Sequence, residues 1–291
     1  MKCGQALDMF ILDKTVSNLS PETVKDYKTV VGAFVNWLGS ERDVVDLADG
    51  LLLKQYILVL QQRNLTGKTI HTYVKHIKVY FRWLFTNGHI DSDPARELRI
   101  KYEKKIPDVL TMDEIQALID IPSLRDRLIV CLLLDCGLRR REIISADMSD
   151  IVNGRLHVRL GKGKKDRIVP LSEPLQDMIR LYDQERDQTC PALIQTLDGR
   201  RLSTQGIHTV FRRLKKKTGI ERLHAHLLRH TYGTYFVDSG GDIKSLQLLM
   251  GHADVKTTET YVHIANLLHV EKYAKHSIFN IVSQQKDIKK E

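Results

Sequence analysis

Hydrophobic positions recur along this chain at two spacings, and each predicts a different kind of element. Steps of three and four, the helical period, run through Val24, Tyr27, Val31, Phe34 and Leu38, opened by Ser20-Pro21 and closed by Gly39. Serine is a good N-cap and proline suits the first helical position, so a helix is predicted here. A second helix is predicted over Leu51 to Gln62. A third begins after Thr66-Gly67 and carries Ile70, Tyr73, Ile77, Tyr80, Phe81 and Leu84 before Asn87-Gly88 ends it. Residues 1 to about 19 show no clean stripe and are read as a preface without assigned structure.

The pattern changes after Asp93-Pro94. The segment KYEKKIPDVL is basic, contains Pro107 and has the composition of a linker. Thr111-Met-Asp-Glu114 then forms a capping box ahead of Ile115, Leu118 and Ile119. An almost wholly apolar helix over Leu128 to Leu134 is predicted as a buried spine. Two stretches of strand character, Arg155 to Leu160 and Arg167 to Leu171, flank GKGKKD and predict a hairpin. Helix returns from Ser203 to the basic run before Gly219. Another helix begins near His224, and a Gly240-Gly241 break follows it. The expected division is a helical bundle over 1–100, a linker over 101–108, a second domain over 109–275 and a polar tail over 276–291.

Composition narrows the function. At 291 residues, 42% hydrophobic and 28% charged, the sequence describes a globular protein with no apolar run long enough to span a bilayer. No secretory signal is read at the N-terminus, and four cysteines without a spaced framework suit a reducing compartment. A cytoplasmic protein is expected. The net charge of +9 is clustered, at Lys101, Lys104 and Lys105, then Lys162, Lys164, Lys165 and Arg167, then Arg212, Arg213, Lys215, Lys216 and Lys217. Clustering of this kind points to nucleic acid. Lys68 and Lys75 add a basic face to the third helix, opposite its apolar stripe.

Candidate chemistry gathers in residues 224–261. His226 and Arg229 stand three apart, hence on one helix face, with His252 and Tyr261 beyond the glycine break. Upstream, Arg139 follows Gly137-Leu138 at the end of the spine helix, Glu142 lies three residues on, and Lys162 sits in the hairpin turn. Taken singly, each has a plain structural explanation. His226 and His230 also have the i, i+4 spacing of zinc helices, but without the HExxH glutamate or a third ligand, so no metal is expected.

In order and spacing the set resembles the tyrosine recombinases, the family of lambda integrase, Cre and the Xer proteins. The strings are CGLRRREI, GKGKKDRIVPL, HLLRHTYGT and LMGHADVKTTETY, with 23 residues from Arg139 to Lys162, 23 from Arg229 to His252 and nine from His252 to Tyr261. The resemblance is strong over about 108–265 and general over 20–100. It implies a mainly α, two-domain protein: a helical core-DNA-binding bundle, and an α+β catalytic domain with a small antiparallel hairpin, forming a C-shaped clamp on DNA. It implies Tyr261 as nucleophile, Arg139 and Arg229 as phosphate clamps, and His226 as proton acceptor. Lys162 becomes the general acid, His252 a hydrogen-bond donor, and Glu142 a support. No cofactor is implied. Implied partners are duplex DNA carrying a specific site and further copies of the chain, a dimer per site and a synaptic tetramer. Accessory DNA-bending or directionality proteins are a further class of partner, and the C-terminal segment would dock on a neighbouring protomer. Lys68, Lys75, Lys104, Lys105, Lys164, Lys165, Arg167, Arg212 and Lys215 are expected DNA contacts. With its first assigned helix near residue 20, no arm-binding domain is expected, which favours a two-domain enzyme, Xer-like or carried by a mobile element, at the bacterial nucleoid. A type IB topoisomerase-like strand transferase and a non-catalytic DNA-binding relative are the alternatives.

Overall fold

The computed structural model describes residues 1–103, 107–159, 166–252, 258–262 and 264–266. The chain divides into two compact units, Met1–Lys105 and Ile106–Glu291.

The first unit is a bundle of α1 (Cys3–Val16), α2 (Pro21–Leu38), α3 (Leu51–Gln62) and α4 (Gly67–Thr86). Ser20 and Thr66 cap α2 and α4 through their hydroxyls, each accepting from the amide three residues on. The core closes on aromatic edges: Phe10 of α1 meets Tyr80 and Trp83 of α4 with ring centroids 5.2 and 5.7 Å apart. Helix α1 corrects the sequence reading, which left this segment unassigned. Cys3, Ala6 and Phe10 are buried at helical spacing, yet Met9, Leu12 and Val16 occupy the exposed side. With apolar residues on both faces, no stripe stands out.

The second unit is built on α6 (Leu124–Asp135), longer than the expected spine, packed against α8 (Glu173–Glu185) and α10 (Ala225–Asp238). Helices α5 (Met112–Ile119), α7 (Arg140–Ser145), α9 (Thr204–Thr218) and α11 (Ile243–Met250) complete it. Thr111 and Glu114 form the predicted capping box, with both reciprocal bonds present. Buried Asp126 on α6 takes Arg213 of α9, tying by charge two helices that contribute to one core.

A three-stranded antiparallel sheet, β1 (Ile151–Val152), β2 (Arg155–Val158) and β3 (Arg167–Pro170), lies beside this core. Strands β2 and β3 are the predicted hairpin, in register Leu156 with Val169 and Val158 with Arg167; Leu160 and the 161–165 turn lie outside the described residues. Strand β1 is additional. It reaches β2 through Asn153 and Gly154, both at positive φ (51° and 70°), the backbone a type I′ hairpin requires.

Candidate active site

Arg139 is placed by the end of α6. Gly137 adopts φ +57°, and a Cβ there would stand 2.3 Å from the Tyr232 ring, so only glycine permits both the turn and the approach of α10. Arg139 then becomes the N-cap of α7, and Glu142 at the third helical position accepts its backbone N–H at 2.8 Å. The same carboxylate takes the Arg139 guanidinium at 2.8 Å, while another Arg139 nitrogen donates to the Gly251 carbonyl at 2.7 Å.

Arg229 comes from the start of the second turn of α10 and is 3% exposed. It donates to the Gly137 carbonyl, to the Met250 carbonyl at 2.7 Å and to Nε2 of His252 at 2.9 Å. Burial, reinforced by nearby Arg139, pulls its pKa down to about 10, still far above neutrality. His252 is pulled down to about 4, by burial first and then by Arg229, Arg139 and Arg167. The imidazole is therefore neutral near pH 7, its Nε2 accepting from Arg229 and its Nδ1–H donating to Thr258 Oγ1 at 3.1 Å.

The last turn of α11 is the hub of these contacts. Carbonyls at a helix C-terminus lack partners within the helix and carry its negative dipole end. Three consecutive ones are met by three arginines: Leu249 by Arg167 at 2.6 Å, Met250 by Arg229 and Gly251 by Arg139. Arg139, Arg229 and His226 line one cavity of about 320 Å³, rimmed also by Arg140, His208 and His224. A phosphate would meet two forked guanidiniums there. His226 is held below its usual pKa, by burial first and then by Arg229, so it is a neutral imidazole able to accept a proton.

Tyr261 lies in a helical stretch over 258–262 and is 2% exposed. Its ring stacks on His252, with centroids 6.1 Å apart and planes 14° apart, and its hydroxyl meets His230 Nδ1 at 3.2 Å. It also lies flat on α10, where a Cβ on Gly233 would come within 2.9 Å of the ring. Burial raises the phenol's pKa, partly offset by Arg229 and Arg139, so the proton must leave as the oxygen attacks.

Arg139, Arg229, His226, His252, Glu142 and Tyr261 are thus brought into one neighbourhood. Lys162, Lys104, Lys105, Lys164 and Lys165 lie outside the described residues. Lys68, Lys75 and Arg212 are exposed and Lys215 half-buried, positions open to an anionic partner. Arg167 is a correction. The sequence reading made it a DNA contact, but its side chain is 7% exposed and clamps Glu142 with two parallel bonds of 2.8 and 2.7 Å. Burial alone would raise the Glu142 pKa, yet Arg167 and Arg139 overcome it and hold the group near 2. His230, weighed from sequence only for its zinc-helix spacing with His226, touches the phenol. Among the described residues, no group of three His, Cys, Asp or Glu side chains is placed to hold a metal.

Comparison with known families decides the kinship. The phage integrase family model matches residues 108–267, and its N-terminal SAM-like domain model matches 7–91. The chain belongs to the phage integrase family, that of the tyrosine recombinases. Tyrosine recombinase XerC of Alcanivorax borkumensis is 32% identical over 84% of this chain and 84% of its own length. Among solved structures, the Tn1549 transposon integrase in complex with circular intermediate DNA superposes with a TM-score of 0.77 at 18% identity, covering 90% of this chain and 95% of that one. A lambda integrase tetramer bound to a Holliday junction gives 0.72 at 18% identity, over 87% and 78%. These two likenesses establish that this phage integrase family member has the integrase fold.

Proposed function

We infer that this chain is a tyrosine-type site-specific DNA recombinase that cuts and rejoins duplex DNA through a 3′-phosphotyrosyl link to Tyr261. The observation that carries the reading is the convergence of Arg139, Arg229 and His226 on one cavity, with Tyr261 stacked on the histidine that Arg229 binds. As the Tyr261 oxygen attacks phosphorus, charge grows on the non-bridging oxygens, and the two guanidiniums stabilise it. The phenolic proton passes to His226, the bond from phosphorus to the 5′-oxygen breaks, and Lys162 protonates the departing 5′-oxygen. Guanidinium groups stand where many phosphoryl-transfer sites place metal ions. Because the phosphotyrosyl bond keeps the phosphodiester's energy, resealing requires no nucleotide cofactor. Since the hydroxyl is covered and bound to His230, attack requires the phenolic oxygen to exchange this hydrogen bond for contact with the phosphate.

The partners proposed are duplex DNA bearing a recombination site, a second copy on that site, and a tetramer in synapsis, as in the lambda integrase assembly on a Holliday junction. No helix among the described residues is long and apolar enough to cross a membrane. A cytoplasmic setting, at the nucleoid where duplex DNA lies, belongs to this proposal, and the bacterial XerC relative supports it. The test is a nicked suicide duplex carrying a site selected from a random pool. The wild-type chain should trap a covalent protein–DNA adduct, and Tyr261→Phe should not; an adduct formed by the phenylalanine variant removes Tyr261 as nucleophile.

A further inference from the structure

Arg167 is one of the least exposed arginines of the second unit and takes no part in the chemistry above. It opens β3, 25 residues after Glu142 and 82 before Leu249, and its guanidinium binds both. The Glu142 carboxylate offers about four acceptor positions, and four donors use them. Oε1 takes Nη1 of Arg139 and Nη1 of Arg167, each at 2.8 Å; Oε2 takes the Arg139 backbone N–H at 2.8 Å and Nη2 of Arg167 at 2.7 Å. Arg167 therefore holds the fork-to-fork pairing with Glu142, and Arg139 is left with a single-point side-chain bond to it.

We propose that Arg167 is a positioning residue: by saturating Glu142 it keeps Arg139 from closing onto that carboxylate, and so keeps the Arg139 fork turned to the phosphate cavity. Its third bond, to the Leu249 carbonyl, fixes β3 to the same helix end that Arg139 and Arg229 grip. One guanidinium thus ties together the strand that follows the Gly-Lys-Gly motif in sequence, the Gly-Leu-Arg motif and the Gly-His motif. Without it, a buried carboxylate with two vacated acceptor positions faces Arg139 alone, and bidentate capture of Arg139 is the favoured response.

This role rests on the recombinase reading, and both are tested on the suicide duplex with a selected site. Arg167→Met should leave the protein concentration for half-saturation within about twofold and the salt dependence of binding unchanged. The single-turnover rate of adduct formation at saturation should fall about 10- to 100-fold, the scale of an ångström-level misplacement. Arg167→Lys, which keeps the charge but loses the fork, should fall between Arg167→Met and wild type. Adding Glu142→Gln to Arg167→Met removes the carboxylate that captures Arg139, so the double variant should be several-fold faster than Arg167→Met alone. A merely structural arginine predicts no such recovery. If Arg167→Met does not fold, the lysine variant and the double variant decide the matter. Weaker binding with a reduced salt slope makes Arg167 a phosphate contact and overturns the proposal, as does a rate within twofold of wild type or a double variant no faster than the single. A wild-type chain that binds but forms no adduct overturns the recombinase reading and takes this role with it.

Discussion

His230 Nδ1 lies 3.2 Å from the hydroxyl oxygen of Tyr261, whereas His226, one helical turn earlier on α10, lines the arginine cavity. The two imidazoles, 6.1 Å apart between centroids, thus face different reacting parts, the nucleophile and the phosphate. General-base catalysis contributes about 10²- to 10⁴-fold, so His226→Gln should slow adduct formation at least about 100-fold. His230→Gln, which keeps a hydrogen-bonding group beside the phenol, should cost about tenfold. Single-turnover assays on the nicked duplex would show the order, and a reversed order moves the proton to His230. Because burial holds His226 below its usual pKa of 6.5, its neutral form persists to lower pH. The acid limb of the wild-type profile should therefore lie below pH 6.5 and be lost in His226→Gln.

Gly233 sets how closely Tyr261 can approach α10. A Cβ would sit 2.9 Å from three atoms of the phenol ring, a contact that must be relieved by moving a side chain that is itself packed on His252. Alanine raises helix propensity at a position within α10 by up to about 1 kcal/mol, so Gly233→Ala should keep or increase helical stability while displacing the nucleophile. The expected result is an adduct rate lowered by about tenfold or more with normal DNA binding. A variant with wild-type cleavage would show that the ring leaves Gly233 before attack.

Much of this arrangement was legible in the sequence, and the exceptions have physical causes. Helix α4 could be read from Thr66 to Thr86 because its caps and its one-sided apolar stripe agree. Helix α1 could not, because Met9, Leu12 and Val16 put apolar groups on the face opposite Phe10. Strand β1 has two residues, too few to alternate, although Asn153-Gly154 was a turn signal that could have revealed it. In the site, order and spacing singled out Arg139, Glu142, His226, Arg229, His252 and Tyr261, which the fold brings into one neighbourhood. Spacing says nothing about pairing across 25 residues, so Arg167 looked like one more member of a basic cluster until Glu142 was found inside its fork. Helical periodicity puts His226 and His230 on one face but cannot say which of them reaches a tyrosine 31 residues on from His230.

The basic face of α4 makes a separate prediction about binding. Lys68, Lys75 and Arg82 are exposed, while Lys78 is engaged, donating to the carbonyls of Arg96 and Leu98 at 2.9 Å each. Each phosphate contact contributes about 0.9 to the slope of log affinity against log salt. Lys75→Gln should therefore weaken DNA binding at all sequences and lower the slope by about one. Lys78→Gln should instead lower the stability of the first unit, leaving a carbonyl pair without its ammonium. Gel-shift titrations over a salt series and thermal melts separate the two effects, and an unchanged slope for Lys75→Gln would remove α4 from the DNA surface.

Two titratable groups of the site, half-buried His252 and buried Glu142, make stability fall on acidification, in adjoining pH windows. For His252 the fold favours the neutral form, with a pKa near 4 against an ordinary 6.5. The unfolded chain therefore takes up the proton first. Stability is lost as pH falls from about 6.5 to 4 and is flat below, by roughly 2 kcal/mol once its partial exposure is allowed for. For Glu142 the fold favours the carboxylate, with a pKa near 2 against 4.5. Its contribution is complete above pH 4.5 and is lost between 4.5 and 2, on the order of 3 kcal/mol. Urea unfolding followed from pH 7 to 3 should show both declines. His252→Gln should flatten the upper one, and Glu142→Gln the lower one at the cost of a lower plateau near neutrality, because Arg139 and Arg167 would then face an uncharged amide. If the wild-type midpoint does not change between pH 6.5 and 4.5, His252 is not held neutral by the arginines around it, and the tautomer that lets its Nε2 accept from Arg229 is wrong.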